Sequence, residues 1–276
     1  MAFNSVVKLK DGISMPQLGF GVWQVSDDGA EAAVMEAFKV GYRSIDTAAI
    51  YRNENGVGRA IKNSGLARNE MFITTKLWNE DQGYDKAMKA VDSSLKKLGL
   101  EQVDLYLVHW PSPNRGLYME TWKAMVEIKK QGKAKSIGVS NFMPEHLTRI
   151  IDATGEVPVL NQIELHPKFQ QKELRAFHAN HGIRTECWSP LGQGQILEDA
   201  QIKEIAGKHG KSAAQVIIRW HLQNDFIVIP KSVTPSRIKQ NFDVADFTLS
   251  SDEMAIIEKM DSKAGRIGPN PMTAEF

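Results

Sequence analysis

Short β-branched or aromatic runs alternate with longer amphipathic stretches along almost the whole chain, and this rhythm constrains the fold more than any other feature. The runs at 17–21, 44–46, 72–76, 103–109, 136–140, 159–162, 184–187 and 226–230 are predicted strands. Helical periodicity fills the intervals at 31–40, 56–63, 85–97, 117–130, 144–152, 172–181, 202–208 with 213–222, and 235–241. Eight strand–helix units within roughly 250 residues match a closed (β/α)8 TIM barrel. A doubly wound open sheet is the alternative, weakened because its Gly-x-Gly-x-x-Gly fingerprint is missing: Gly19-Phe20-Gly21 continues as Val22-Trp23-Gln24. Ahead of the units, runs at 6–9 and 13–15 flank Lys10-Asp11-Gly12, a turn signal that predicts an N-terminal hairpin. No Pro/Ser-rich linker or low-complexity tract divides the 276 residues, so one domain over 1–276 is expected.

Charge and cysteine usage narrow the function. The 34 basic and 33 acidic side chains give a formal +1, too weak a field to hold a nucleic acid or an anionic membrane. Cys187 is the only cysteine, which excludes an intramolecular disulfide framework and fits a reducing cytoplasm. Met1-Ala2-Phe3-Asn4 opens without a basic region leading into an apolar run, and no stretch approaches the roughly 18 apolar residues of a span, so neither export nor membrane insertion is expected. Gly207-Lys208-His209-Gly210-Lys211-Ser212 ends like a P-loop, but Ile205 stands where the first glycine is required. His178 and His181 could mimic a metal pair but lack a third ligand at a useful spacing, and a solvated helix face is expected there. Cys187 reads as a small core residue.

In a (β/α)8 barrel, chemistry sits at the C-terminal ends of the strands. Here the second strand ends in Asp46 with Tyr51 in the loop after it, the third in Lys76 and the fourth in His109. Each has an ordinary explanation: Asp46 as a helix cap, Tyr51 as an interfacial core tyrosine, Lys76 as a snorkelling lysine, His109 as a core imidazole bonded to backbone. Four such groups on one rim are harder to explain singly. Together they form a proton donor. A phenol, whose ordinary pKa is about 10, is a weak acid near neutrality. A buried Lys76 ammonium would stabilise the phenolate and lower that pKa, Asp46 would keep Lys76 charged, and His109 could orient a carbonyl oxygen. The set suits carbonyl reduction.

The blocks Asp46-Thr47-Ala48 through Tyr51, Thr75-Lys76-Leu77-Trp78, Leu107-Val108-His109-Trp110-Pro111, Gly138-Val139-Ser140-Asn141-Phe142 and Ile229-Pro230-Lys231-Ser232 resemble the signature segments of the aldo-keto reductases. The resemblance runs in order from about Val6 to Phe247, and within the family it is most similar to the bacterial 2,5-diketo-D-gluconate reductases, through Asn161-Gln162-Ile163-Glu164-Leu165-His166-Pro167 and Trp188-Ser189-Pro190-Leu191-Gly192-Gln193-Gly194. It implies a TIM barrel whose base is closed by the N-terminal hairpin, a catalytic tetrad of Tyr51 as general acid with Asp46, Lys76 and His109, and NADPH bound without a Rossmann unit.

The same resemblance assigns Ser140, Asn141 and Gln162 to the nicotinamide carboxamide, Trp188 to ring stacking, and Ser189, Leu191, Gly192 and Gln193 to the pyrophosphate. Lys231, Ser232, Val233, Thr234 and Arg237 would meet the 2′-phosphate and adenine, with Gln240 and Asn241 beside the base. Thr234 before Pro235 also reads physically as an N-cap followed by proline at the first helical position, where backbone N–H groups face an anion. Trp23, Ile50, Trp78, His109 and Trp110 are the implied substrate-pocket residues. The expected activity is NADPH-dependent reduction of small aldehydes and ketones, such as 2,5-diketo-D-gluconate, methylglyoxal or β-keto esters, by a cytoplasmic monomer that needs no metal. A non-catalytic NADPH-binding or structural protein on the same barrel is the alternative, and a barrel hydrolase with paired carboxylates ranks lower because only Asp46 is a strand-end carboxylate within the constellation. The Gly/Pro-rich tail Ala264-Gly265-Arg266-Ile267-Gly268-Pro269-Asn270-Pro271 could fold over the mouth or fray.

Overall fold

The first element is the expected hairpin, β1 (Val6–Lys8) against β2 (Ser14–Pro16), paired antiparallel. Gly12 turns it at φ +89°, in the left-handed region that glycine enters without a Cβ penalty, and its N–H donates to Leu9 O at 3.0 Å. The computed structural model describes residues 5–274, so the reading of Met1-Ala2-Phe3-Asn4 falls outside the described residues.

Eight parallel strands follow in chain order around one sheet: β3 (Phe20–Gly21), β4 (Ser44–Asp46), β5 (Phe72–Leu77), β6 (Val103–Val108), β7 (Ala134–Ser140), β8 (Leu160–Glu164), β9 (Arg184–Trp188) and β10 (Ile227–Val228). The two edges meet. Leu18 pairs in parallel with Val228, Gly19 N–H donates to Val228 O, and Val228 N–H donates to Gln17 O, both at 2.9 Å. The sheet therefore closes into the (β/α)8 barrel that the rhythm predicts, although β3 and β10 are shorter than the expected 17–21 and 226–230 because closure runs through a single bridge.

Helices α1 (Asp27–Val40), α2 (Glu54–Asn63), α3 (Tyr84–Leu98), α4 (Tyr118–Lys130), α5 (Pro144–Thr154), α6 (Lys172–His181), α7 (Ala200–His209), α8 (Ala213–Gln223) and α9 (Pro235–Phe242) fill the predicted intervals with ends that shift by a few residues. A further helix, α10 (Ser251–Glu258), lies outside those intervals. Its signal is local: Glu253 N–H donates to Ser250 Oγ at 3.3 Å while Ser250 N–H donates back to Glu253 Oε2 at 2.8 Å, a capping box.

Alternation along the strands divides the interior into two cores. Outward residues such as Ile45, Ile73, Tyr106 and Ile137 pack under the helices. Inside the barrel, Val7, Leu9 and Met15 of the hairpin region meet Phe72, Leu105, Leu107, Leu160 and Ile227 and plug the base. Each fully buried apolar side chain contributes about 1.5–3 kcal/mol. Asp46, Lys76 and Gln162 lie toward the opposite end, where the strands terminate.

Two histidines correct an expectation. His178 is not solvated: it is buried against β8 and β9, bonded to Asn161 Nδ2 and Thr185 Oγ1, each at 2.9 Å. Burial and then the neighbouring His181 push its pKa down to about 3. His181 stacks on Phe177 with ring centroids 4.0 Å apart. Cys187 is buried in the core as expected, and burial pushes its thiol pKa up. No helix among the described residues is long and apolar enough to cross a membrane.

Candidate active site

Strand pleating aims the first group of residues. Thr75 points outward, donating its hydroxyl to Glu54 Oε1 on α2 at 2.7 Å, so its neighbour Lys76 must point into the barrel. There Lys76 Nζ donates to Asp46 Oδ1 at 2.5 Å, to Thr47 O at 2.9 Å and to the Tyr51 hydroxyl at 3.4 Å. Tyr51 reaches this spot from a single 3-10 turn, Ala49–Tyr51, directly after β4. His109 follows β6 and turns its ring edge-on to both Tyr51 and Trp78, with centroids 5.6 and 5.3 Å away. All four expected tetrad residues share one rim.

Their electrostatics differ in one respect from expectation. Full burial works against the Lys76 charge, but Asp46 and then Tyr51 outweigh it and hold the ammonium pKa above its ordinary value. Burial is also the largest influence on Tyr51, and it raises the phenol pKa although Lys76 pulls the other way. The expected depression is therefore only one of two opposing effects, because the Lys76 charge is shared first with Asp46 and reaches the phenol over a longer contact. Burial, reinforced by Lys76, drives the His109 pKa well below its ordinary value, so the imidazole is neutral. Its Nδ1 is buried without a partner among the described residues, and the residue lines the cleft.

The rim opens into a cleft of about 590 Å³ lined by Asp46, Tyr51 and His109 and walled by Trp23, Ile50, Trp78 and Trp110. Ser140, Asn141, Gln162 and Trp188 form its floor and are cross-braced. Trp188 Nε1 donates to Asn141 Oδ1 at 2.8 Å; Asn141 Nδ2 donates to His109 O at 3.0 Å and to Ser140 Oγ at 3.1 Å; Ser140 Oγ donates to Gln162 O at 2.8 Å. Gln24, Asn141, Ser189 and Gln193 all border the cleft with positive φ, so backbone strain collects at its mouth.

Sequence reasoning missed Glu186. This carboxyl lies fully buried beneath the floor and accepts from Gln162 Nε2 at 2.9 Å, while the same nitrogen donates to Asp46 Oδ2 at 2.8 Å. Burial, then the negative charge of Asp46, pushes its pKa up to about 8. No spacing rule links positions 46, 162 and 186; only barrel closure does.

The expected distal residues divide. Ser189, Gln193 and Lys231 line the cleft, whereas Leu191 packs on the helix-side core and Gly192 is held against Ile196, which a Cβ would strike at 2.4 Å. Val233, Thr234 and Arg237 are exposed beyond the cleft, Ser232 and Asn241 are buried, and Gln240 borders a separate outer groove with Lys239 and Asp243. Thr234 has N-cap backbone geometry before Pro235, but its side chain makes no capping bond, so the first N–H groups of α9 are left uncapped by it. Among the described residues, neither Lys231 nor Arg237 meets a carboxylate.

The tail folds over the mouth. Glu164 accepts backbone N–H bonds from Ile267 at 2.6 Å and Gly268 at 2.8 Å and a contact from His166 Nε2 at 3.1 Å. Burial alone would raise the Glu164 pKa, but His166 and the two N–H groups outweigh it and hold the carboxyl below its ordinary range. Gly268 is required at this seat, since a Cβ would lie 2.5 Å from the Trp188 ring. Ile267, Gly268 and Pro269 thus become cleft wall.

Comparison with known proteins is consistent with this geometry. The profile of the family described as Aldo/keto reductase family matches residues 16–262. The methylglyoxal reductase DkgA of Escherichia coli (strain K12) is 55% identical over 98% of each chain. Among solved structures, Gox0644 in its apoform superposes with a TM-score of 0.96 at 56% identity over 99% of each chain, and a variant of Gox0644 has been solved in complex with NADPH. A structure bearing the name 2,5-diketo-D-gluconic acid reductase B is 35% identical with a TM-score of 0.93, covering 100% of this chain and 98% of that one.

Proposed function

The chain belongs to the aldo/keto reductase family, and from that premise we propose that it uses NADPH to reduce small aldehydes and ketones, with α-dicarbonyl compounds such as methylglyoxal and 2,5-diketo-D-gluconate, together with β-keto esters, as its substrate class. The observation that carries this reading is the buried Lys76 ammonium, which holds Asp46 and reaches the Tyr51 hydroxyl at one end of a tryptophan-walled cleft.

The residues present fit the cofactor at both ends. Among the described residues no donor reaches Gln162 Oε1 on the cleft floor, so it is free to accept from a carboxamide. At the far end, two cations that meet no carboxylate among the described residues and a helix start uncapped by Thr234 suit a phosphate. Ser140, Asn141, Gln162 and Trp188 would hold the nicotinamide, Ser189 and Gln193 the pyrophosphate, and Lys231, Ser232, Thr234 and Arg237 the 2′-phosphorylated adenosine. Leu191, Gly192, Val233, Gln240 and Asn241 would act by shaping these segments. When bound, NADPH supplies the hydride that the carbonyl carbon accepts.

Tyr51 then supplies the proton. Its O–H bond breaks as a new O–H bond forms on the developing alkoxide, and the phenolate left behind is stabilised by the Lys76 ammonium, which Asp46 keeps charged. The raised phenol pKa keeps that proton on oxygen at neutral pH until it is needed. Neutral His109 orients the carbonyl oxygen without competing as an acid. Trp23, Ile50, Trp78 and Trp110, with Ile267 of the tail, exclude water from the reacting carbon. A decisive assay follows NADPH oxidation with methylglyoxal, 2,5-diketo-D-gluconate, a β-keto ester and an aromatic aldehyde. Turnover of the dicarbonyls is expected; a rate no higher than the enzyme-free control across the panel would remove the reading.

A further inference from the structure

Glu186 has no part in the chemistry above, yet the barrel encloses it completely in β9. An enclosed carboxyl is costly unless it is paired or made neutral. Here it is only half satisfied: Oε2 accepts from Gln162 Nε2, and Oε1 has no partner among the described residues. The ladder sets Glu186 directly opposite Gln162, with both side chains inside the barrel.

A primary amide has two N–H donors on one side and a carbonyl on the other. Both donors of Gln162 are committed, one to Asp46 Oδ2 and one to Glu186 Oε2. One such bond would leave the last side-chain torsion of Gln162 broad, since amide rotation about that bond is loosely defined. Two acceptors in a fork fix the amide plane. They also fix which end points where, because exchanging N and O would set the carbonyl lone pair against the Asp46 carboxylate. With the pKa of Glu186 raised, its carboxyl is protonated at neutral pH and adds no second negative charge beside Asp46.

We propose that Glu186 is a positioning residue that, by taking the second N–H of Gln162, locks the amide with Oε1 turned to the cleft as the acceptor for the nicotinamide carboxamide. This rests on the reading that Gln162 faces the nicotinamide. Glu186→Leu removes the acceptor while filling the space, whereas Glu186→Gln keeps an acceptor and copies the neutral carboxyl.

The test titrates NADPH and 2′,5′-ADP, which carries only the adenosine half, against wild type and both variants. Glu186→Leu is expected to weaken NADPH about tenfold, the worth of roughly one hydrogen bond, and to leave 2′,5′-ADP within about twofold. Glu186→Gln is expected to restore NADPH affinity to within about twofold of wild type. In a Gln162→Leu background, Glu186→Leu should cost nothing further. Unchanged NADPH affinity in Glu186→Leu, equal weakening of both ligands, or Glu186→Gln failing as badly as Glu186→Leu would each overturn the assignment. Glu186→Met, whose flexible chain fills irregular gaps, takes the place of the leucine variant if that one does not fold. Wild-type protein that binds 2′,5′-ADP but gains nothing from the nicotinamide half would instead overturn the reading of the cleft, and this proposal with it.

Discussion

The two ends of the cleft are built on different principles. At the reacting end Lys76, Asp46, Ser140 and Gln162 are at most 3% exposed and are tied together by hydrogen bonds from β4, β5, β7 and β8. At the far end Lys231, Thr234 and Arg237 stand in solvent, with no carboxylate partner for either cation among the described residues and no side-chain cap on α9. Hydride transfer needs near-contact alignment, so the first end is rigid before anything binds. A phosphate needs only charge and donors, which side chains can supply on arrival. The contrast separates turnover from affinity: substitutions in the proton-donor group of Tyr51, Lys76 and Asp46 should act on kcat and those at the open end on cofactor binding.

The strongest way to break that contrast is Tyr51→Phe. It should lower kcat by about 10²–10⁴-fold while NADPH affinity stays near wild type, because only the proton donor is removed. Steady-state rates with methylglyoxal beside a cofactor titration measure both, and wild-type turnover would sink the reacting-end assignment. Arg237→Ala should weaken NADPH by about ten- to a hundredfold and NADH far less, with kcat at saturating NADPH unchanged. Equal weakening for the two cofactors would move Arg237 from the phosphate to the adenine or to the fold.

Smaller effects sharpen the comparison through stability. The folded-state Glu186 pKa of about 8 lies above its ordinary 4.5, so between these values the folded protein holds a proton that the unfolded chain has released. That contribution is complete below 4.5 and is lost as pH rises through 8. Glu186→Gln does not titrate, so wild type should lose Tm relative to it across this window, by at least roughly 2–4 °C. A constant difference would mean the carboxyl titrates normally. The smallest contrast compares helix starts in the cofactor-free protein: Ser250→Ala removes a formed cap and should cost about 1 kcal/mol, while Thr234→Ala removes none and should cost under about 0.5 kcal/mol. Urea unfolding reads both, and equal losses would show that Thr234 caps α9 in solution.

Much of the site is legible in the chain itself because periodicity and position coincide. Asp46 ends one strand, Lys76 lies in the next, and His109 follows a third, so a barrel rule is enough to gather them. Tyr51 joins them from the loop after the first of these strands because a phenol beside an ammonium makes a proton donor, whereas Trp188 and Arg237 need the family resemblance, since a core aromatic or an arginine on a helix has no local mark. His178 defeats a periodicity argument because its helix pattern resembles that of a solvated face, whereas α6 lies against β9 and buries that position. Backbone freedom suggests a phosphate contact for Gly192, but Ile196 supplies a packing reason that spacing cannot show. Glu186 sits within a short strand run, where nothing distinguishes it from a surface carboxylate until the barrel closes around it.

The number and order of the strand–helix units, the hairpin and the rim positions of Asp46, Lys76 and His109 follow from the sequence alone, because periods of 2 and 3.6 residues and turn chemistry are local properties of the chain. Tertiary structure alone decided the protonation states of Tyr51, His109 and Glu186 and the partners of the polar groups. Gln162 reaches Asp46 across 116 positions, and Glu164 seats the tail across 103. Burial and these distant partners set the energy of every charge in the cleft, and both exist only once the chain has closed on itself.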